Sequence, residues 1–176
     1  MRDGVLQFIV SLDGKSCDVD NGMRELMIGL DDPEQEEYSI RQLWRAGTHI
    51  MGRVSYEQMA QFFPGSDVPA AAPLNGTEKV VFSRTLRSAD AWPGTRIAGG
   101  DTAEEIARLR AEPGGEILAH GGTAFAHSLI RLGLVDSYRL WVLPAAAGRG
   151  AALFSGLDQP VRLRLDSSRA FPSGVL

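Results

Sequence analysis

Short apolar runs and capped amphipathic segments take turns along most of this chain, and that alternation limits the possible folds more than any other feature. Val5 to Leu12 is an apolar run closed by Asp13-Gly14, which predicts a buried first strand ending in a turn. Asp31-Asp32-Pro33 supplies a capping acid and a proline suited to a first helical turn. Ile40, Leu43 and Trp44 then fall at helical spacing before a stop at Gly47, so a helix is expected from about 33 to 46. Thr48 to Met51 reads as a strand, Val54 to Phe62 as a helix and Lys79 to Ser83 as a strand. A Pro/Ala/Gly-rich loop at 64–77 is long enough to be functional or mobile. Asp101-Thr102-Ala103-Glu104 opens a helix that Pro113-Gly114-Gly115 ends, and a strand at 116–120 and a helix at 123–132 follow. This order favours an α/β sheet that is parallel in its main part. Tyr138 to Leu143 and Val161 to Leu165 have no helix between them and are expected to pair antiparallel at the end of the sheet. Phe171 to Leu176 reads as the opening of one more strand.

With 176 residues, 44% of them hydrophobic, and neither repeats nor a low-complexity linker, the chain is expected to form one domain over 1–176. The net charge is −4 and the arginines are scattered singly, so a nucleic-acid partner is not expected. Cys17 is the only cysteine, and no apolar run is long enough to span a membrane. No membrane association and a cytoplasmic location are therefore expected, without a disulfide framework. His49, His120 and His127 are too dispersed for a metal site. His49, inside an apolar strand, reads as a hydrogen-bonded core histidine.

Two places invite a phosphate. Gly121-Gly122-Thr123 lies between a strand end and a helix start, where bare backbone N–H groups and the positive end of the helix both favour an anion. Gly52-Arg53-Val54-Ser55 is a second small-residue entry into a helix. There Arg53 offers a forked guanidinium and Ser55 a hydroxyl donor. The alternative for each is a plain tight turn with a solvated arginine. Two such seats in one chain favour a ligand with more than one phosphate. Gly148-Arg149-Gly150 lacks the third small residue and the helix of a dinucleotide fingerprint and is set aside.

Ser11-Leu12-Asp13-Gly14, Met51 to Glu57 (MGRVSYE), Lys79 to Thr85 (KVVFSRT), Gly121-Gly122-Thr123 and Gly133 to Asp136 (GLVD) occur in order, followed by Pro144 and Gly148-Arg149-Gly150. Together they resemble the dihydrofolate reductase superfamily, in its branch similar to the C-terminal reductase domain of bacterial riboflavin biosynthesis proteins. The resemblance covers nearly the whole chain. It implies a three-layer α/β fold with a mixed, mainly parallel sheet flanked by helices and antiparallel C-terminal strands. It further implies NADPH as hydride donor, a small-molecule substrate and a homodimer. Ser83, Arg84 and Thr85 fall where the family turns a strand end toward the adenosine half of the dinucleotide, although an ordinary polar turn explains them equally well.

Two carboxylates are candidate catalytic residues. Asp13 belongs to the first of these motifs. Glu36, counted back without gaps from Met51-Gly52-Arg53, falls where dihydrofolate reductases carry a helix carboxylate that binds the pterin and assists its protonation. Its simpler reading is a solvated first-turn residue that complements the helix dipole. The expected function is hydride transfer from NADPH to a small heterocyclic or carbonyl substrate, ribosylaminopyrimidine-like or pterin-like. The alternative is a non-catalytic nucleotide-binding or scaffold dimer of the same fold. The strand Tyr138 to Leu143 carries large apolar groups on both faces, so one face is expected to need cover, for which a second copy is a common solution.

Overall fold

The computed structural model describes residues 1–16 and 26–176, so Cys17 lies outside the described residues. Six parallel strands form the sheet: β1 (Gly4–Ser11), β3 (Ala46–Gly52), β4 (Glu78–Phe82), β5 (Thr95–Ala98), β6 (Glu116–His120) and β7 (Ser137–Leu143). Their spatial order is β5-β4-β3-β6-β1-β7, and every neighbouring pair is parallel. Two residues at β2 (Lys15–Ser16) pair antiparallel with two at β8 (Ala151–Ala152) as a separate ribbon.

Helices among the described residues include α1 (Pro33–Trp44), α2 (Arg53–Phe62), α3 (Ala71–Gly76), α4 (Thr102–Ala111) and α5 (Thr123–Arg131). Alternation along the strands divides the core in two. Leu6, Phe8, Ile50, Val80 and Ala119 pack with Ile106 and Leu109 of α4 and Ala126 and Leu129 of α5. On the other face, Val5, Met51, Val81 and Leu118 meet Leu43 of α1, Tyr56 of α2, Leu74 of α3 and Trp92. The result is helix, sheet, helix in three layers.

The capping signals locate the helix starts. Asp32 accepts from the backbone N–H groups of Glu34 and Gln35 at 3.0 and 3.2 Å, with Pro33 in the first turn. Asp101 accepts from Glu104 N–H at 3.0 Å. The loop at 64–77 is more ordered than its composition predicts. Within it α3 buries Ala71, Pro73 and Leu74, and the carbonyls of Leu74, Asn75 and Thr77 accept hydrogen bonds from the buried Lys79 Nζ at 3.0, 3.3 and 2.8 Å. A side chain from β4 thereby supplies the C-terminal partners that a six-residue helix lacks.

The C-terminal expectation needs correction. β7 does not pair with 161–165, which is exposed and outside any strand. β7 instead runs parallel to β1 from Val5↔Ser137 to Ser11↔Leu143, as a helical crossover through α5 dictates. Near the end of β7, on Val142, the backbone groups of Leu176 exchange two hydrogen bonds, at 2.8 and 3.0 Å. Phe171 and Val175 pack on Trp141 and Leu143, while Tyr138, Leu140 and Val142 lie against the core on the other face. Much of the cover that β7 requires thus comes from its own chain.

Candidate functional site

The chain leaves β3 through α2 toward β4, on one side, and leaves β6 through α5 toward β7, past β1 on the other. The sheet order reverses between these adjacent strands, and in open α/β sheets such a reversal opens a crevice outside the carboxyl ends. Gly52 ends β3 and Gly121-Gly122 follows β6, so both sequence-predicted seats stand at that crevice. A cleft of about 290 Å³ lies there, with Gln7, Ser55, Met59, His120, Gly121 and Gly122 among its walls.

Backbone approach explains the glycines. Gly122 has φ +87°, a region costly for any residue with a Cβ, and a Cβ there would stand 2.7 Å from Ser55 Oγ. That hydroxyl is buried and donates to the Gly121 carbonyl at 2.9 Å, tying the start of α2 to the glycine turn. A Cβ on Gly52 would come within 3.1 Å of Phe125 Cβ, so the two turns are packed against each other through α5. The capping pattern separates the helices by task. α1 and α4 start at Asp residues whose side chains satisfy first-turn N–H groups, whereas α2 and α5 start at glycines, which have no side chain to do so. The glycine-started pair is the one at the crevice.

The other predicted residues fall as follows. Thr123 is buried, with Oγ1 3.0 Å from Ser16 Oγ, closing one flank of the cleft. Arg53 is exposed at the start of α2 and meets Glu57 at 3.0 Å. An exposed pair of this kind contributes about 0.2–1 kcal/mol, little enough for a phosphate to displace. Ser83, Arg84 and Thr85 follow β4, the next strand over, where Ser83 Oγ accepts from the N–H groups of Thr85 and Leu86 at 3.2 and 2.9 Å. The polar turn is real, and it stands at the same sheet edge as the two glycine seats.

Neither candidate carboxylate lines the cleft. Glu36 is exposed on the first turn of α1. Asp13 accepts from Ser11 Oγ at 2.7 Å and from the N–H groups of Ala147 and Gly148 at 2.9 and 3.0 Å, clamping the turn after β1 to the loop after β7. Those donors hold its carboxyl down to about 2, the serine hydroxyl foremost. The clamp is fully present above the ordinary carboxylate range and lost as pH falls through about 2. Asp13→Asn is accordingly expected to be less stable than the parent at pH 7, with the difference shrinking between pH 4 and 2. Urea midpoints across that range measure it.

Two wall residues carry little signal in the sequence. Gln7 is a polar residue within an apolar run, and its Oε1 is buried without a hydrogen-bond partner among the described residues. His120 is the last residue before the glycine pair. Its Nε2 lies 2.8 Å from Nδ1 of the fully buried His49. Burial, then the Lys79 cation, hold His49 down to about 4, against the Pro73 carbonyl. Burial, with the neighbouring His49, holds His120 well below the ordinary imidazole value, so both rings are neutral at pH 7. Among the described residues no group of three or more His, Cys, Asp or Glu side chains could hold a metal, and no helix is long and apolar enough to cross a membrane.

Known proteins resemble this chain. YyaP of Bacillus subtilis, itself uncharacterized, is 31% identical over 134 residues, 73% of this chain and 70% of its own length. YwjB of the same organism, also uncharacterized, is 28% identical across 99% of this chain and 95% of its own. Among solved structures, a Shewanella sp. PV-4 protein assigned to riboflavin biosynthesis superposes with a TM-score of 0.77 at 18% identity, covering 98% of this chain and 94% of that one. RibD of Acinetobacter baumannii gives 0.66 at 17% identity, over 99% of this chain and 56% of that longer one. A pyrimidine reductase-like protein of Corynebacterium diphtheriae gives 0.62 at 15%, over 99% and 89%. These likenesses establish a shared fold. The RibD C-terminal domain family matches residues 2–176, and the chain belongs to that family.

Proposed function

We propose that this protein is an NADPH-dependent reductase that delivers hydride to a small heterocyclic or carbonyl compound, ribosylaminopyrimidine-like or pterin-like. One observation supports this above the others: two glycine-started helix N-termini, packed together, face one cleft at the reversal point of a parallel sheet. The residues present fit a dinucleotide. Bare backbone at Gly121-Gly122 admits a pyrophosphate, Arg53 reaches an additional phosphate, and the Ser83–Thr85 turn stands where the far end of an extended ligand would lie. NADPH, when bound, supplies the hydride. The chain's part is to orient the two reactants against the wall formed by Gln7 and His120 and to keep water from between them.

Saturating NADPH, at about a hundred times its dissociation constant, is expected to add about 2.7 kcal/mol of stability and raise the melting temperature by roughly 5–10 °C. An unchanged melting temperature would refute the reading. Arg53→Ala is expected to weaken NADPH more than NADH, because the guanidinium meets the extra ribose phosphate. Equal losses for both would assign Arg53 to the shared pyrophosphate. Among the described residues the cleft walls carry no carboxylate, which keeps the binding-only alternative in play. Stabilisation by NADPH without its oxidation in the presence of pterins or ribosylaminopyrimidines would select that alternative.

A further inference from the structure

From 160 to 171 the chain runs without a turn or a bend, and 158–170 is exposed throughout. Apolar and charged residues alternate along this arm as Val161-Arg162-Leu163-Arg164-Leu165-Asp166, with Val161, Leu163 and Leu165 52, 57 and 78% exposed. Among the described residues no backbone group bonds to the backbone of 158–170. A straight strand with neither a ladder nor cover for its apolar face has the form of half a pairing.

The hairpin that follows the arm shows where the other half belongs. Gly174, at φ +85°, donates to the Phe171 carbonyl at 2.8 Å, and Phe171 N–H donates to the Val175 carbonyl at 2.9 Å, the pattern of a hairpin loop closed by a left-handed glycine. The arm and Val175-Leu176 are therefore antiparallel neighbours. On its other side Leu176 exchanges both backbone bonds with Val142, so it is antiparallel to β7 as well. The arm thus runs parallel to β7 with a lane for one antiparallel strand between them. Val142 turns its polar backbone groups into that lane, and by the two-residue period so do Leu140 and Tyr138, which have no backbone partner there among the described residues. β7 is the last strand of its sheet, so this side is a free edge.

A second copy supplies a strand of the required direction. Related by a twofold axis, its arm runs antiparallel to the first arm and hence antiparallel to β7. The same operation carries the first arm into the second copy's lane, and the strand order across the pair becomes β7, partner's arm, own arm, partner's β7. Continuing the register from Phe171↔Val175 and Leu176↔Val142 sets Arg169 to Leu165 of the arm across the lane from Trp141 to Ser137. Val161 to Leu165 of the second copy fills those positions when the axis passes through Leu165, and the bend at 158–159 takes the chain out of the lane beside Leu176. In that register Arg164 of each arm stands opposite Asp166 of the other, and no like charges face each other. Val161, Leu163 and Leu165 fall on the face of Phe171 and Trp141 and extend that aromatic cluster. We infer that this arm is the dimer interface of the protein, two copies exchanging Val161–Leu165 into each other's lane and joining their sheets into one. The inference stands apart from the reductase reading.

Light scattering on the intact chain at micromolar concentration should give a dimer mass, and the amides of Leu140 and Tyr138 should exchange more slowly as concentration rises. Arg164→Asp and Asp166→Arg each set like charges face to face across the axis, and each should weaken the dimer at least about tenfold. Both side chains are exposed, so the variants should keep the circular dichroism of the parent. Mixing the two variants should restore a dimer, because the aspartates of one chain then face the arginines of the other. The 2.8 Å contact between Arg164 and Asp166 within one chain gains nothing from mixing, so restoration reports the contact between chains. A monomer at micromolar concentration would overturn the inference: slow exchange at Leu140 and Tyr138 would then mean cover from the same chain, and fast exchange a lane left to a foreign strand. A dimer that neither variant weakens, or variants that stay monomeric when mixed, would overturn it as well.

Discussion

Replacing Gly122 with valine is expected to abolish NADPH binding and to cost about 2–4 kcal/mol of stability. The cost has two separable parts. At φ +87° any side chain is strained, and a β-branched one more so. The new Cβ would also stand 2.7 Å from Ser55 Oγ, and moving that hydroxyl sacrifices its 2.9 Å bond to the Gly121 carbonyl. The branched methyls would project over the bare backbone that the proposed pyrophosphate would approach. A double-mutant cycle of Gly122→Ala with Ser55→Ala separates the parts, because removing the hydroxyl relieves the clash and leaves the backbone strain. Urea midpoints at unchanged m-value report the stability loss, and thermal shift reports the binding. A Gly122→Val protein that takes up NADPH normally would reduce the glycine pair to a turn.

Gly115→Ala should be more damaging still to the fold, at about 3–5 kcal/mol, although it lies at the opposite, amino end of β6. Its Cβ would overlap the Arg45 carbonyl oxygen and stand 3.0 Å from Gly47 N and 3.3 Å from Ala46 C. All three obstacles are backbone, so no rotamer change can relieve them. The strands β3 and β6 would have to part where Glu116 N–H donates to Arg45 at 3.1 Å, and the buried Arg2, whose Nε donates to the Gly115 carbonyl at 2.7 Å, would lose its seat. Gly133→Ala is the control. It has φ +64° with nothing within 4 Å of the added methyl, so it should lose only the roughly 1–2 kcal/mol of left-handed strain. Similar midpoints for the two variants would show that close approach at Gly115 is not what limits it.

Local chemistry is the part of the fold that the sequence makes legible. Asp32 and Asp101 announce helix starts because a short acceptor at that position satisfies first-turn N–H groups wherever the helix then packs. The glycine turns at 52 and 121–122 were legible for a similar reason, since only a bare backbone serves there. β5 leaves no such signal, because Thr95 to Ala98 is four residues at a sheet edge, too short to show a period. The helix α3 was hidden by its own composition. Ala-Ala-Pro-Leu-Asn-Gly has little intrinsic helical preference, and its order comes from burial and from Lys79, seen only in three dimensions. The partner of β7 is not legible, because Val161, Leu163 and Leu165 alternate as a strand should, yet periodicity says nothing about which strand is adjacent. Gln7 and His120 gave a weaker signal still. Each is one polar residue in an apolar run, and their meaning depends on β1 and β6 being neighbours in register.

The three carbonyls around Lys79 have a chemical corollary. The chain contains only two lysines, Lys15 and Lys79, and Nζ of the second is engaged by α3 and stacked 5.1 Å from the Trp92 ring. Burial also lowers its proton affinity, and enclosure shields it from reagents. An amine-directed label therefore divides the molecule's history in two: modification at Lys15 records contact with solvent, and modification at Lys79 records each occasion on which α3 lifts from the sheet. In a mass spectrum the chain carries its own clock for that opening, with no probe engineered into it.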